Sequence, residues 1–182
     1  MSNFHNRTKV LDHLLQFSNV KLFNNSKTKI IVKDSKTLGT ELVCRKRIKK
    51  GERIAWYKFM VFDMDTHKSY KHSMYSMSVY TKNENISERL IGDLFNGSLQ
   101  MPSPKNITYY AFFSNEPTIS DDMNCYLDIE TKLNYKHRKK VKVGDTMTYS
   151  IRAERNILPG EKITWCYGPE YARKYEPNCP AE

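Results

Sequence analysis

Twelve tyrosines in a chain of 182 residues exceed what average composition supplies, which leaves some of them available for more than packing. The other residue types that usually carry catalysis are placed less suggestively. The five histidines stand in polar loops with no close pair to hold a metal, and no Gly-x-Ser-x-Gly elbow marks a hydrolase nucleophile. Cys44, Cys125, Cys166 and Cys179 lie far apart, each in an apolar or aromatic stretch and without the short spacings of zinc sites. They read as free core thiols.

The most informative stretch runs Ile151-Arg152-Ala153-Glu154-Arg155-Asn156-Ile157-Leu158-Pro159-Gly160-Glu161-Lys162-Ile163-Thr164-Trp165-Cys166-Tyr167-Gly168. Pro159-Gly160 supplies the preset and positive φ values of a tight turn, and apolar and polar residues alternate on both sides, so the stretch reads as a hairpin. It resembles the closing motif of the SET-domain family, where a strand reads Ala-x-Arg-Asp-Ile, turns at Pro-Gly-Glu and returns as Glu-Ile-Thr-x-x-Tyr-Gly.

Two further stretches are similar to motifs of that family. Ser35 to Cys44, followed by Arg47-Ile48-Lys49-Lys50-Gly51-Glu52-Arg53-Ile54, resembles the opening Gly-x-Gly-x-x-Ala and Ile-x-x-Gly-Glu, with Glu41 in place of the second glycine and Cys44 in place of the alanine. Ala111-Phe112-Phe113-Ser114-Asn115-Glu116-Pro117, then Asn124-Cys125, resembles Ala-Arg-Phe-Ile-Asn-His-Ser and Pro-Asn-Cys, with Glu116-Pro117 replacing His-Ser and Thr118 to Met123 lengthening the connection. Taken without the resemblance, Asn-Glu-Pro is an ordinary turn.

The resemblance spans about Thr28 to Gly168, and small single-domain viral SET proteins are nearest in length. It implies transfer of a methyl group from S-adenosylmethionine to a lysine of another protein, most naturally a histone. It also implies Tyr167 as the catalytic tyrosine, with Leu38, Gly39, Thr40, Asn115, Glu116 and Tyr167 at the cofactor. Tyr57, Tyr75, Tyr110, Trp165 and Tyr171, and also Tyr109, are candidates for the walls of the lysine channel. For any one of these, core packing is the competing role. The family's cysteine-rich segment after the domain is missing, so no metal is expected, and residues Pro169 to Tyr175, helix-like in pattern, would close the site instead.

The elements that must position these residues are mostly strands. Short β-type segments are expected at Lys29–Lys33, Glu41–Cys44, Ile54–Phe62, Tyr75–Thr81, Ile107–Phe113, Cys125–Glu130, Met147–Arg155 and Lys162–Tyr167. Asn85 with Glu88 reads as the cap of a short helix carrying Leu90, Ile91, Leu94 and Phe95. The expected architecture is mostly β (α+β): short curved sheets, few short helices and, by resemblance, a pseudoknot-like crossing near the C-terminus. Residues 1–27 read as a helical extension, 28–168 as one domain with a helical or loop insertion at about 82–106, and 169–182 as a closing tail.

Hydrophobic residues make up 39% of the chain and the formal charge is +10, concentrated at residues 45–50 and 136–142. That balance favours a polyanionic neighbour such as nucleic acid, although charge runs are often only solvated turns. A basic histone tail would need an acidic groove, for which Asp121, Asp122, Asp128 and Glu130 are candidates. No apolar run spans a membrane and no signal peptide is evident, so an intracellular soluble protein of the nucleus or cytoplasm is expected, of a host cell if viral. The alternative is a catalytically inactive SET-fold module that binds nucleic acid or a chromatin or ribosomal partner. Homodimerisation is left open.

Overall fold

The computed structural model describes residues 28–35, 39–67, 75–80, 86–93, 109–129, 141–169, 171 and 173–180. The expected extension at 1–27, Leu38, Glu130, residues 136–140 and most of the 82–106 insertion lie outside them.

The fold is mostly β, as expected. A two-stranded antiparallel ribbon, β1 (Ile30–Ser35) and β2 (Gly39–Cys44), stands beside a five-stranded sheet ordered β4-β5-β3-β7-β6. The sheet comprises β3 (Arg53–Asp63), β4 (Met77–Tyr80), β5 (Ile86–Asp93), β6 (Cys125–Asp128) and β7 (Thr146–Ala153). The longest strand, β3, sits in the middle because Ala55 to Phe59 are buried on both faces, which a central strand between two covered surfaces requires. Phe59, Val61, Val79, Tyr149 and Ile151 fill the core beneath the sheet, while Leu42, Ile48, Ile157 and Ile163 join it to the ribbon.

Three expected elements differ. The helix read at Asn85 to Phe95 is instead strand β5 over Ile86–Asp93, whose backbone pairs with β3 and β4. The apolar spacing suited either structure, and pairing with the exposed ladder of β3 decided between them. Gly92 fits this placement: a Cβ there would come within 2.3 Å of the Phe59 ring. Of the strand expected at Ile107–Phe113, the described residues 109–113 contain no strand, and Ala111–Phe113 form a buried 3-10 turn. Residues 169, 171 and 173–175 form turns and extended chain rather than a helix.

The turn at Leu158–Glu161 forms as expected, with Gly160 at φ +95°. Its two arms, however, pair elsewhere. Ile157 exchanges both backbone hydrogen bonds with Ile48, Lys162 bridges Val43, and Thr164 runs parallel to Asn115. The closing segment thus lies between β2 on one side and residues 114–125 on the other, which is the pseudoknot-like crossing.

Two of the four cysteines are not free. Cys44 and Cys125 are buried thiols, but Cys166 and Cys179 form a disulfide. The tail folds back over residues 116–122 and so brings together two sulfurs that are 13 positions apart in sequence.

Candidate active site

The closing segment is laced to both flanks before it reaches Tyr167. On the β2 side, Gly160 N–H donates to Cys44 O and Ile163 N–H to Leu42 O, each at 2.8 Å. On the other side, Ser114 Oγ donates to Ile163 O at 2.9 Å, Asn124 Nδ2 to Lys162 O at 2.6 Å, and Thr164 N–H to Asn124 Oδ1 at 3.0 Å. Asn124 is thereby satisfied at both ends while buried, which is how a polar side chain is held without loss in a core. Asn115 completes the lacing: its Nδ2 donates to Thr40 O at 2.9 Å, and its own carbonyl accepts from Trp165 N–H at 3.2 Å. The three motif segments read in the sequence therefore meet at one place.

Tyr167 is fixed from both ends. Its hydroxyl donates to Ser114 O at 2.6 Å, and its backbone N–H donates to Glu116 Oε1 at 3.0 Å. Its ring sits between Trp165, at 5.0 Å between centroids, and Tyr171, at 4.7 Å. From Trp165 the rings continue through Tyr57 at 5.9 Å to Phe112 at 4.8 Å and Tyr75 at 5.8 Å. Trp165 Nε1 also donates to the Tyr57 hydroxyl at 2.7 Å. Burial pushes the Tyr57 phenol far above its ordinary value, so it remains a neutral hydroxyl. Of the channel candidates, Tyr57, Tyr75, Trp165 and Tyr171 thus join one aromatic series with Tyr167. Tyr110 contacts Phe113 at 6.2 Å, and the Tyr109 ring lies 5.2 Å from Lys58 Nζ. Burial raises both of those phenols.

Glu116 holds the tail. Its side chain is fully buried, and the usual acceptor positions of a carboxylate are filled by the chain itself. Oε1 accepts from Tyr167 N–H and Arg173 Nη2, and Oε2 accepts from Arg173 Nε and the Tyr175 hydroxyl. Only its backbone is left to face a cofactor. Asn178 adds a further tie, its N–H to Pro117 O and its Nδ2 to Asp121 O.

A model of the SET domain matches residues 39–168. The chain belongs to the SET-domain family. Among solved structures, a Plasmodium falciparum protein described provisionally as a histone methyltransferase is similar to this SET domain at 19% identity and a TM-score of 0.48. The match covers 80% of this chain and 97% of that one. No curated protein matches the chain.

The family is one of lysine methyltransferases that use S-adenosylmethionine, and one feature of this SET domain bears on the fit of that cofactor. Glu41 Oε2 is a buried acceptor that no donor satisfies among the described residues, with Lys162 Nζ at 3.9 Å. It follows Thr40 in the opening motif, so an acceptor without a hydrogen bond stands near the start of β2. Asn115 is joined to Thr40 and Glu116 to Tyr167, so these expected cofactor contacts lie along one run of hydrogen bonds.

Of the four acidic residues expected to line a groove for a histone tail, Glu130 lies outside the described residues and two of the others are paired within the chain. Asp128 accepts from Arg152 at 2.6 Å and from Arg53 at 3.4 Å, and Asp121 accepts from Lys162 at 3.0 Å, so the chain's own cations neutralise both. Among the described residues no group of three or more His, Cys, Asp or Glu could hold a metal, and no helix is long and apolar enough to cross a membrane.

Sequence reasoning missed Phe112, Ser114, Arg173 and Tyr175. Ser114 stands inside the quoted motif and could have been found there. Arg173 and Tyr175 carry no signal beyond a tyrosine-rich tail, because their partner lies 57 and 59 positions earlier.

Proposed function

We propose that this SET domain is an S-adenosylmethionine-dependent protein-lysine N-methyltransferase acting on a histone, with Tyr167 as the residue that aims the amine. The hold on Tyr167 carries the reading. Its phenolic proton is committed to Ser114 O, so its oxygen offers lone pairs to an incoming amine N–H. An amine anchored in that way directs its own lone pair along the channel rather than at the wall, and orientation of this kind is a large part of the catalysis of a displacement reaction.

Lysine is protonated at neutral pH and must lose its proton before attack. The rings of Tyr57, Phe112, Trp165 and Tyr171 favour the uncharged form by keeping water away from the nitrogen. When bound, the cofactor supplies an electrophilic methyl group on a positively charged sulfur. Tyr171 and Arg173 bring the tail against the site.

The loop Arg45–Lys50 holds nucleic acid beside the substrate. Ile48 is its single buried anchor, and Arg45, Lys46, Arg47, Lys49 and Lys50 are exposed.

A second reading has one specific support: the family's His-Ser is replaced by Glu116-Pro117, and the Glu116 carboxylate serves the tail. On that reading the protein is a SET-fold binding module without activity. Calorimetry with S-adenosylmethionine, followed by radiolabelled methyl transfer to core histones and nucleosomes with Tyr167→Phe alongside, separates the two. Cofactor binding and a loss of transfer on the order of 100-fold in the variant are expected. A folded protein that takes up no cofactor would leave only the binding module.

A further inference from the structure

We infer that Arg173 is a positioning residue for Tyr167, acting through Glu116, so that the C-terminal tail is part of the catalytic apparatus rather than a cover. This rests on the reading of Tyr167 as the residue that aims the amine.

The geometry brackets one peptide unit. Arg173 Nη2 donates to Glu116 Oε1 at 2.8 Å and to Gly168 O at 2.6 Å, while Glu116 Oε1 also accepts from Tyr167 N–H at 3.0 Å. One guanidinium nitrogen therefore fixes the carboxylate that holds the Tyr167 amide and also the carbonyl of the next residue. Gly168 has φ +92°, so the chain turns out of its extended path immediately after the tyrosine. Fixing both sides of that bend sets the direction in which the Tyr167 side chain leaves the backbone. Ser114 fixes only the far end, at the hydroxyl.

Arginine suits the task for a reason lysine does not share. Its planar fork meets Glu116 through Nε and Nη2 at once, 3.0 and 2.8 Å away, and still has a proton for Gly168 O. A lysine would keep the charge that neutralises buried Glu116 but could not hold carboxylate and carbonyl in one rigid plane. Charge compensation and orientation are thus separable by substitution.

The test compares wild type, Arg173→Lys and Arg173→Gln in full-length protein, measuring kcat, KM for S-adenosylmethionine, and hydrogen exchange at the Tyr167 amide. The Lys variant should fold, bind cofactor within about threefold of wild type, exchange the Tyr167 amide faster, and lose roughly 10- to 100-fold in kcat, as misplacement of a reacting group does. The Gln variant should lose at least as much. If Arg173→Lys keeps kcat within about twofold, or loses only KM, the tail is a cover and the inference fails. Should Arg173→Gln not fold, the Lys variant still decides. Wild-type protein that shows no transfer at all would instead overturn the methyltransferase reading, while the exchange measurement would still report whether the bracket exists.

Discussion

The indole N–H of Trp165 donates to the hydroxyl of Tyr57 across 2.7 Å, joining the closing segment to the centre of β3. Tyr57 is 3% exposed, so Tyr57→Phe would strand a partly buried donor where little water can replace the lost partner. The expected cost is about 1–3 kcal/mol in chemical denaturation. An unchanged midpoint would show that water reaches the indole.

Reduction of Cys166–Cys179 should loosen the tail without unfolding the sheet. The bond closes a loop across 13 positions, worth about 3 kcal/mol in the chain-entropy view. Cys179→Ser, or treatment with a dithiol reductant, should make residues 169–180 sensitive to protease while β3 and β7 keep their exchange protection. Equal protease resistance in both thiol states would mean that Glu116 and Asn178 hold the tail alone.

Acid should weaken the closing segment first. The Arg155 hydrogen bond holds Glu161 below its ordinary value of 4.5. Burial pushes Asp121 up, but hydrogen bonds from Thr118 and Lys162 more than offset it and hold it below 3.8. A carboxylate lowered in the folded state contributes stability that is complete above its ordinary value and is lost as pH falls toward the folded one. Thermal stability should therefore drop below about pH 4, with a shallower slope in Glu161→Gln. A slope identical to wild type would remove Glu161 from that account.

Gly92→Ala should destabilise the five-stranded sheet by about 1–3 kcal/mol, because the new methyl meets the Phe59 ring 2.3 Å away. Phe59 is fully buried at the centre of the sheet. A neutral result would show that Phe59 has a second rotamer available.

Binding of duplex DNA should weaken steeply with salt, since each phosphate neutralised contributes about 0.9 to the log–log slope. Replacing Arg45, Arg47 and Lys50 with alanine should reduce that slope by about 2–3 and leave the melting temperature nearly unchanged, because all three are exposed. A slope unaffected by the substitutions would place nucleic acid elsewhere or nowhere.

What could be read from the sequence was local. Pro159-Gly160 announces a turn wherever it occurs, and the alternation through Met147 to Ala153 announces a strand, because both signals are complete within a few residues. What the turn's arms pair with was not legible, since Ile157 meets Ile48 from more than a hundred positions away. Glu116 looked like part of a turn for the same reason: its four bonds go to residues 51 to 59 positions later. The stretch from Asn85 was misread because Leu90 and Ile91 suit a helix as well as a strand until the edge of β3 is present to choose. The cysteines were misread because nothing near Cys166 says that the chain returns to it.

The crossing has a consequence for how the molecule is made. Leu42, Ile48 and Ser114 emerge from the ribosome well before Ile157 to Trp165, the segment they bind. No earlier portion of the chain can bury these groups by itself, so the nascent domain must stay unfinished, and exposed to aggregation, until residues 157–165 have been made. A premature stop before residue 157 should therefore yield insoluble product rather than a smaller working unit.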